Sequence, residues 1–383
     1  MKDETKLVHL GREHQGLRMV NPPVERGSTV LFPSFEDFKK RQRPRYYGRH
    51  GTDVHDHLRR LVCELEGAET AHFTSSGLLA VNLTLLTYAE PGADLLITDT
   101  AYDPVRSFCE GFLAKRGVSV RYYDPLIGAG IKDLIRPETT LIHTESPGSL
   151  TFEVQDIPAI VKAAGDIPVS IDNTWGAGVF LKPLALGAAI SIQSATKYMG
   201  GHSDAFLGTI ATSEAIGQRI KKVATFLGNQ SSPDDANTML RGLRTLTTRL
   251  EKHERQGLDL AQWLEARPEV ARVLHPGLPS HPQHDLFKRD FTGASGLFAA
   301  VLKRDDEAFV AAFINALQLF GLGYSWGGYE SLCLPAWPET CRSATSWTQG
   351  GQFLRFHVGL EDLSDLTTDL AQAFQTADQE TLR

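Results

Sequence analysis

Short apolar runs alternate with helix-like segments between residues 52 and 245, and this alternation restricts the fold more than any other feature. The segments 77–89, 104–116 and 156–164 predict helices, the last of them beginning at an Asp156 cap. Strands that alternate with helices form a mostly parallel sheet covered on both faces, so we expect an α/β fold. The runs that predict its strands are 95–97, 140–143, 169–171, 189–192 and 207–210.

The first 51 residues have a different character. They contain several prolines and a basic run at 39–45, and such a stretch cannot bury much apolar surface by itself. We therefore expect an extended N-terminal arm that lies on another subunit. A partly disordered tail is the alternative, although Val30, Leu31 and Phe35 favour docking.

The C-terminal part of the chain predicts a second, smaller domain. Residues 221 to about 266 are mostly helical, and they lead into a compact α+β pattern with strands at 296–302 and 354–358 and a helix at 305–320. A chain of 383 residues is long enough for two packed domains. The predicted parts are an arm at 1–51, a large domain at 52–245 and a small domain at 246–383.

Charge and cysteine content exclude several classes of protein. A net charge of −7 argues against nucleic acid or an anionic membrane as the main partner, and no apolar run approaches the ~20 residues of a spanning helix. The four cysteines have neither the spacing of a disulfide framework nor that of a zinc site, so we predict no metal. The first six residues lack the apolar part of a secretory signal, which makes the cytoplasm the expected location.

Asp172 and Lys197 carry the clearest chemical signal. Asp172 closes the run at 169–171, and Lys197 follows the run at 189–192. A carboxylate and a lysine at the ends of successive strands of an α/β sheet meet in one crevice. That pair suits pyridoxal 5'-phosphate (PLP), because a lysine forms a Schiff base with its aldehyde and a carboxylate keeps its pyridine nitrogen protonated. The hydroxyls of Ser194 and Thr196 could bind its phosphate.

Each of these residues alone has a simpler explanation. A lysine among hydroxyls and glycines is usually a surface residue, and an aspartate after a strand is usually a turn former. The string Ser-Ala-Thr-Lys-Tyr at 194–198 makes a cofactor-binding role the better interpretation of both residues. It resembles the S-x-T-K-Y segment of the PLP-dependent Cys/Met-metabolism enzymes. The resemblance runs from about residue 5 to 363. It implies a fold type I, aspartate-aminotransferase-like PLP-transferase fold with Lys197 as the residue that carries PLP.

The resemblance also implies where the cofactor phosphate binds. Ser76, Gly77 and Leu78 stand at the start of the predicted helix 77–89, and backbone amides at a helix start attract anions. Gly77 and Leu78 would supply those amides. A helix cap is an equally good interpretation of the Ser-Ser-Gly string alone.

Tyr47 and Arg49 resemble the family's Y-x-R-x-G segment, which reaches into the neighbouring subunit's site and contacts the phosphate. An arginine suits this role because its planar fork makes two hydrogen bonds to phosphate. The resemblance therefore implies a homo-oligomer with shared active sites, and specifically a tetramer made of two tight dimers. A solvated basic turn is the alternative. His50 departs from the pattern of a relative that has a second arginine there.

Two more residues follow from the same resemblance. Tyr102 lies just past a predicted strand end, where the family's tyrosine stacks on the PLP ring and assists proton transfer. Arg355 lies in an otherwise apolar predicted strand, so its guanidinium must meet an anion. The family assigns it the substrate α-carboxylate, and an internal salt bridge is the alternative.

Residues 324–328, Tyr-Ser-Trp-Gly-Gly, distinguish the branches of the family, because γ-acting relatives tend to have Ser-Leu-Gly-Gly here. They resemble the β-eliminating branch. This implies L-cystathionine as the small-molecule substrate, contacted by Ser325, Trp326, Arg355 and Tyr47. The expected products are homocysteine, pyruvate and ammonia.

Three alternatives to this activity remain open. The nearest are a broad cysteine-S-conjugate β-lyase and a γ-lyase or γ-synthase on the same fold. The third is a PLP-binding regulatory protein without turnover. Such a protein would have lost part of the catalytic set, whereas Lys197, Asp172, Tyr102 and Arg355 are all present.

Overall fold

The computed structural model describes residues 1–12, 19–40, 45–348 and 350–381, so that most of the predicted basic run at 39–45 lies outside the described residues. The described α-helices are α1 (Asp3–His9), α2 (Phe35–Lys40), α3 (Asp53–Glu66), α4 (Gly77–Tyr88), α5 (Asp103–Phe108), α6 (Ile157–Ala164), α7 (Glu214–Phe226), α8 (Pro233–Leu243), α9 (Leu246–Glu265), α10 (His284–Asp290), α11 (Glu307–Ala316) and α12 (Leu363–Thr381). The strands are β1 (Thr70–Thr74), β2 (Asp94–Thr98), β3 (Ser119–Tyr123), β4 (Thr139–Glu145), β5 (Val169–Asp172), β6 (Ile190–Ser194), β7 (Gly208–Thr212), β8 (Val270–Leu274), β9 (Leu297–Leu302), β10 (Leu332–Ala336) and β11 (Phe353–His357).

Seven strands form a large, mostly parallel sheet in the order β1-β7-β6-β5-β4-β2-β3. The five strands from β6 to β3 are parallel, and β7 runs antiparallel to both β6 and β1. This confirms the predicted α/β fold. The two edge strands, β1 and β3, were not predicted, because their sequences T-A-H-F-T and S-V-R-Y-Y mix polar and apolar residues. An edge strand is covered less completely than a central one and has no need of a continuous apolar run.

Two of the predicted helical segments are interrupted. Segment 104–116 is α5, then a π-helical turn at Cys109–Leu113 and a 3₁₀ turn at Ala114–Arg116. Segment 221–266 contains the end of α7 and all of α8 and α9. Gly228, with a φ of +66°, follows α7, and the Ser232 side chain accepts hydrogen bonds from the first turn of α8. A left-handed glycine followed by a serine cap separates two helices.

The C-terminal region folds around a four-stranded sheet with the order β10-β11-β9-β8, in which every pair is antiparallel. Helices α11 and α12 pack against each other and bury Phe313 and Phe374, whose ring centroids are 4.5 Å apart. The predicted boundary at residue 245 falls between α8 and α9. The smaller α+β unit is therefore present next to the large sheet.

One hydrophobic core continues from the large sheet into the small one. It contains Ile171 of β5 together with Leu297 of β9 and Phe353 of β11. The Trp175 indole Nε1 donates a hydrogen bond to the Leu297 carbonyl at 2.9 Å, and its ring packs edge-on against Phe291 at 5.7 Å between centroids. Because these contacts begin three residues after Asp172, they hold the end of β5 against the small domain.

The N-terminal segment makes contacts within its own chain. Leu7 of α1 is 2% exposed and belongs to the main core. The Arg244 guanidinium donates hydrogen bonds to the carbonyls of Leu7 at 2.5 Å and Leu10 at 2.7 Å. Further along, Leu31 and Phe35 are 82% and 75% exposed. The helix α1 is thus docked on the body of the chain, whereas residues near α2 present apolar side chains outward.

No helix within the described ranges combines the length and the apolar character that crossing a membrane requires.

We predict that Leu7→Ala lowers the free energy of unfolding by about 2–4 kcal/mol, because it removes a buried side chain and leaves a cavity under α1. The control is Val8→Ala, since Val8 is 43% exposed and its loss should change stability by less than about 0.5 kcal/mol. Urea unfolding of the two variants measures both effects. Equal losses would mean that α1 does not dock as described.

Candidate active site

A cavity of about 320 Å³ lies between the two domains, beside the carboxyl ends of β4, β5 and β6. Among the described residues, its wall contains every predicted site residue except Tyr47 and Arg49. Both domains contribute to it. The predicted residues that it brings together are Ser76, Gly77, Leu78, Tyr102, Asp172, Ser194, Thr196, Lys197, Ser325, Trp326 and Arg355.

Lys197 lies in the turn that follows β6, and its side chain reaches the small domain. Its Nζ donates a hydrogen bond to Ser325 Oγ at 2.7 Å and lies 5.3 Å from the centre of the Trp326 ring. Burial, and then the nearby Arg355 charge, lower the pKa of the Lys197 ammonium to about 8, against the opposing effect of Asp172. A lysine held in this way has a substantial neutral fraction at mildly alkaline pH, which makes it a base and a nucleophile.

Asp172 ends β5 and faces the same cavity. One of its carboxylate oxygens, Oδ1, accepts hydrogen bonds from the Thr174 amide at 2.9 Å and the Thr174 hydroxyl at 2.5 Å. Burial raises the pKa of Asp172, and the Thr174 hydrogen bonds and Lys197 act in the opposite direction. Thr174 was not among the predicted site residues. Its position two residues after an aspartate is the spacing of an Asx turn and could have identified it.

Glu145 is a second carboxylate that the sequence analysis did not assign to the site. It ends β4, directly opposite Asp172 in the parallel register, and lines the cavity. Its Oε2 accepts a hydrogen bond from the Tyr102 amide at 2.8 Å. Burial, followed by the Asp172 charge, raises the pKa of Glu145 well above its usual value. The rule that paired Asp172 with Lys197 also applies to the end of β4, so a signal for Glu145 was available.

The start of α4 is pressed against the end of β6. Ser76 is the N-cap, and its hydroxyl accepts a hydrogen bond from the Leu79 amide at 3.2 Å. A Cβ on Gly77 would come within 2.4 Å of the Ser194 Cβ, so only glycine permits this approach. Among the described residues, the amides of Gly77 and Leu78 have no hydrogen-bond acceptor, and both residues line the cavity. They are free to bind an anion at the helix start.

Arg355, on β11, has no acidic partner within ion-pair distance among the residues that the structure describes. Its Nη2 instead donates a hydrogen bond to the Ser325 carbonyl at 3.0 Å. Burial lowers the pKa of the guanidinium to about 10. Among the described residues, Arg355 therefore does not form the internal salt bridge that was the alternative interpretation. The guanidinium faces the cavity with hydrogen-bonding capacity that an incoming carboxylate could use.

Tyr102 stands at the cavity mouth as the N-cap residue of α5 and is 48% exposed. Ser325 holds a left-handed conformation with a φ of +81°, which is uncommon for a residue other than glycine. In this conformation its hydroxyl contacts Lys197 and its carbonyl contacts Arg355. Ser325 thus joins the lysine of the large domain to the arginine of the small domain.

Tyr47 and Arg49 lie elsewhere on the chain. Tyr47 is 42% exposed, and the Arg49 guanidinium lies 5.3 Å from the centre of its ring. Arg49 lines a second cavity of about 500 Å³, together with His50, Arg59 and Lys221. Tyr47 and Arg49 therefore do not line the cavity that contains Lys197 and Asp172 in the same chain.

The first cavity has the groups that PLP requires. It presents two free amides and the Ser194 and Thr196 hydroxyls for a phosphate, a lysine amine for an aldehyde, and the Asp172 carboxylate for a pyridine nitrogen. The close contact between Gly77 and Ser194 brings the helix start and the strand end to the same place. The residues present fit the cofactor.

Comparison with known proteins agrees with this chemistry. The pattern of the family described as Cys/Met metabolism PLP-dependent enzyme matches residues 4–375. The chain belongs to this family. Its cofactor is PLP, as the sequence predicted.

Three relatives illustrate the similarity. The chain is 42% identical to Cystathionine beta-lyase MetC of Escherichia coli over 97% of this chain and 98% of that protein. It is 43% identical to the cystathionine beta-lyase of Salmonella typhimurium, with the same coverage of 97% and 98%. A crystal structure of cystathionine gamma synthase from Xanthomonas oryzae pv. oryzae, in complex with aminoacrylate and cysteine, superposes with a TM-score of 0.92 at 29% identity and covers 99% of both chains. The fold type I architecture is thereby confirmed.

We predict that Gly77→Ala weakens PLP binding at least about tenfold, because the added methyl group forces α4 away from Ser194. Gly111→Ala is the matched control, since a Cβ there meets no atom within 4 Å. Titration of the cofactor-free proteins with PLP, followed by absorbance, measures the affinity. Equal affinities for the two variants would mean that the phosphate does not bind at the start of α4.

A second prediction concerns the pKa of Lys197. In the cofactor-free protein we expect Lys197 to lose its proton near pH 8, and Arg355→Gln should raise that pKa because it removes a neighbouring positive charge. Arg355→Lys keeps the charge and should leave the pKa closer to that of the parent. The rate at which Lys197 is acetylated as a function of pH, read by peptide mass spectrometry, reports the pKa. If the Gln and Lys variants give the same profile, Arg355 does not act on Lys197 through its charge.

Proposed function

We propose that this chain is a cystathionine β-lyase, which converts L-cystathionine and water to homocysteine, pyruvate and ammonia. The observation that carries the proposal is the link from Lys197 Nζ through Ser325 to Arg355, at 2.7 and 3.0 Å. It holds an amine and a carboxylate-binding group at one end of the cavity. The near full-length relatives named cystathionine beta-lyase and the Tyr324-Ser325-Trp326 string support this choice of substrate.

In the proposed site, Lys197 would carry PLP and Asp172 would keep its pyridine nitrogen protonated. Gly77, Leu78, Ser194 and Thr196 bind its phosphate, with Ser76 capping the helix whose amides take part. Bound PLP supplies an electron sink for the electrons left when the substrate Cα proton departs.

The remaining steps belong to side chains of the chain itself. Arg355 binds the substrate α-carboxylate through charge-assisted hydrogen bonds and so fixes the orientation of Cα. The Lys197 amine, once the substrate amine has replaced it on the cofactor, would remove the Cα proton, and its lowered pKa of about 8 favours this near neutral pH. Tyr102 covers the mouth and can assist this proton transfer, while Ser325 and Trp326 hold the lysine and the substrate.

We further propose that the working enzyme is a cytoplasmic homotetramer, a dimer of dimers in which Tyr47 and Arg49 complete the neighbour's site. Their distance from the first cavity of their own chain supports this arrangement, and so does the basic lining of the second cavity. Tyr47 would contact both the cofactor phosphate and the substrate. His50 stands beside Arg49, where it can interact with the distal end of the substrate.

A broad cysteine-S-conjugate β-lyase is the second candidate, and the mouth of the cavity favours it. Phe206 and Tyr324 line the cavity and are 67% and 86% exposed, which suits an apolar thiol group. Among the described residues that line this cavity, Lys197 and Arg355 are the only lysine and arginine. If Lys197 serves the cofactor and Arg355 the α-carboxylate, no other lysine or arginine among the described lining residues can bind a distal carboxylate of the substrate.

The first test is to incubate the PLP-loaded protein with L-cystathionine and identify the keto acid. We expect pyruvate together with homocysteine, and a Lys197→Ala variant should lose at least about 10³-fold in kcat because the base is removed. Release of 2-oxobutyrate and cysteine would instead indicate γ-elimination. A higher kcat/KM for S-benzyl-cysteine than for L-cystathionine would favour the second candidate.

A second test addresses the shared site. Arg49→Ala and Lys197→Ala should each be inactive, and mixing them should restore activity, because some sites then combine an intact Lys197 with an intact Arg49 from the neighbour. Mass spectrometry of differently labelled subunits confirms that exchange has taken place. Complete exchange without recovered activity would contradict a site shared between subunits.

A further inference from the structure

A buried histidine, His357, lies at the end of β11, two residues after Arg355, and is 1% exposed. Its Nε2 accepts a hydrogen bond from the Gly327 amide at 3.0 Å. The same nitrogen is 3.2 Å from the Gly328 carbonyl. The imidazole therefore contacts the backbone of the turn that contains Ser325, Trp326 and Gly327.

That turn is packed tightly against the peptide of Lys197. Gly327 has a φ of +86°, and a Cβ on it would come within 2.8 Å of the Tyr198 nitrogen and 3.0 Å of the Lys197 Cα. Backbone thus lies directly against backbone at this point. Ser325, two residues earlier, accepts one hydrogen bond from Lys197 Nζ at its hydroxyl and another from Arg355 Nη2 at its carbonyl. A shift of the turn would move both of these side chains.

The surroundings of His357 favour the form of the imidazole that can accept this hydrogen bond. An imidazole has an acceptor nitrogen only when it is neutral. Burial, and then the neighbouring His253, lower the pKa of His357 well below its ordinary value. The His253 ring lies 5.3 Å from His357, and its Nδ1 is 2.8 Å from the Val358 carbonyl, to which it donates. His253 is thereby fixed beside His357.

The tautomer of His357 also matters. When Nε2 accepts from Gly327, the proton is on Nδ1. In the other tautomer Nε2 would donate to the Gly328 carbonyl and leave the buried Gly327 amide without a partner. Only the accepting tautomer bonds the Gly327 amide, and its Nδ1–H has no hydrogen-bond partner among the described residues. In both tautomers Nε2 contacts the backbone of the turn.

We infer that His357 is a positioning residue, which fixes the turn at 325–327 through the Gly327 amide and thereby orients the Lys197 amine and the Arg355 guanidinium. The inference rests on the proposed roles of Lys197 and Arg355. It does not depend on which carbon–sulfur bond the enzyme breaks.

The test compares His357→Phe, which fills the space without an acceptor, with His357→Gln, whose side-chain carbonyl can accept from Gly327. His275→Phe is the matched control, because His275 is also fully buried and its Nδ1 accepts a hydrogen bond from the Gly277 amide at 3.0 Å, within the small domain. The PLP-loaded proteins are titrated with glycine, which has a carboxylate but no leaving group, and the absorbance of the cofactor reports binding. Kinetics with L-cystathionine and thermal unfolding complete the comparison.

We expect His357→Phe to weaken glycine binding and to lower kcat/KM by about 10- to 100-fold, the loss typical of a misplaced reactive group. His357→Gln should recover most of both, and His275→Phe should lower only the midpoint of thermal unfolding. The inference is overturned if His357→Phe binds glycine and turns over like the parent. It is also overturned if Phe and Gln at this position are equally damaging.

If His357→Phe does not fold, His357→Met replaces it, because methionine is flexible and has no strong hydrogen-bond acceptor. The inference then requires His357→Met to bind glycine more weakly, and to have a lower kcat/KM, than His357→Gln. The two proposals fail separately. Absence of β-elimination by the parent protein contradicts the proposed function, whereas the glycine titration still reports whether His357 orients the site.

Discussion

The organisation of the site depends on two hydrogen bonds that Ser325 accepts, one from Lys197 and one from Arg355. They join the end of the large sheet to the small sheet at the cavity, over distances of 2.7 and 3.0 Å. Neither domain contains a complete site alone. The two sheets share one core that contains Ile171 and Leu297, and the Trp175 indole donates a hydrogen bond to the Leu297 carbonyl. These contacts fix the relative position of the two sheets that the Ser325 hydrogen bonds require. Packing between the domains is therefore a condition for the chemistry.

Burial of charged groups gives the site its reactivity. Lys197 and Arg355 have lowered pKa values, and Asp172 and Glu145 have raised ones, because the cavity withholds the water that would stabilise their charged forms. A substrate carboxylate would supply an anion for Arg355, and the cofactor phosphate would bind the free amides at the start of α4. The cavity is thus built to bind anions.

The sequence identified the centre of the fold and of the site better than the periphery. The central strands β2, β4 and β5 each contain closely spaced leucine, isoleucine or valine residues. The rule that strand ends meet at one edge predicted that Asp172 and Lys197 lie together. The edge strands β1 and β3 were not predicted, because each of them mixes polar and apolar residues. Thr174 and Glu145 were predictable from the Asx-turn spacing and from the strand-end rule, although neither was assigned to the site. His357 acts through contacts with residues distant in sequence, and a single sequence does not reveal such contacts. The partner proposed for Tyr47 and Arg49 is a second chain, which one chain cannot describe.

Borohydride reduction of the PLP-loaded protein, followed by peptide mapping, tests whether Lys197 is the lysine that binds the cofactor. Reduction makes the bond between PLP and its lysine permanent, so the labelled peptide identifies the residue. We expect a single phosphopyridoxyl group on Lys197, with none bound in a Lys197→Ala variant. Label on another lysine, or unchanged labelling of the variant, would contradict this role of Lys197.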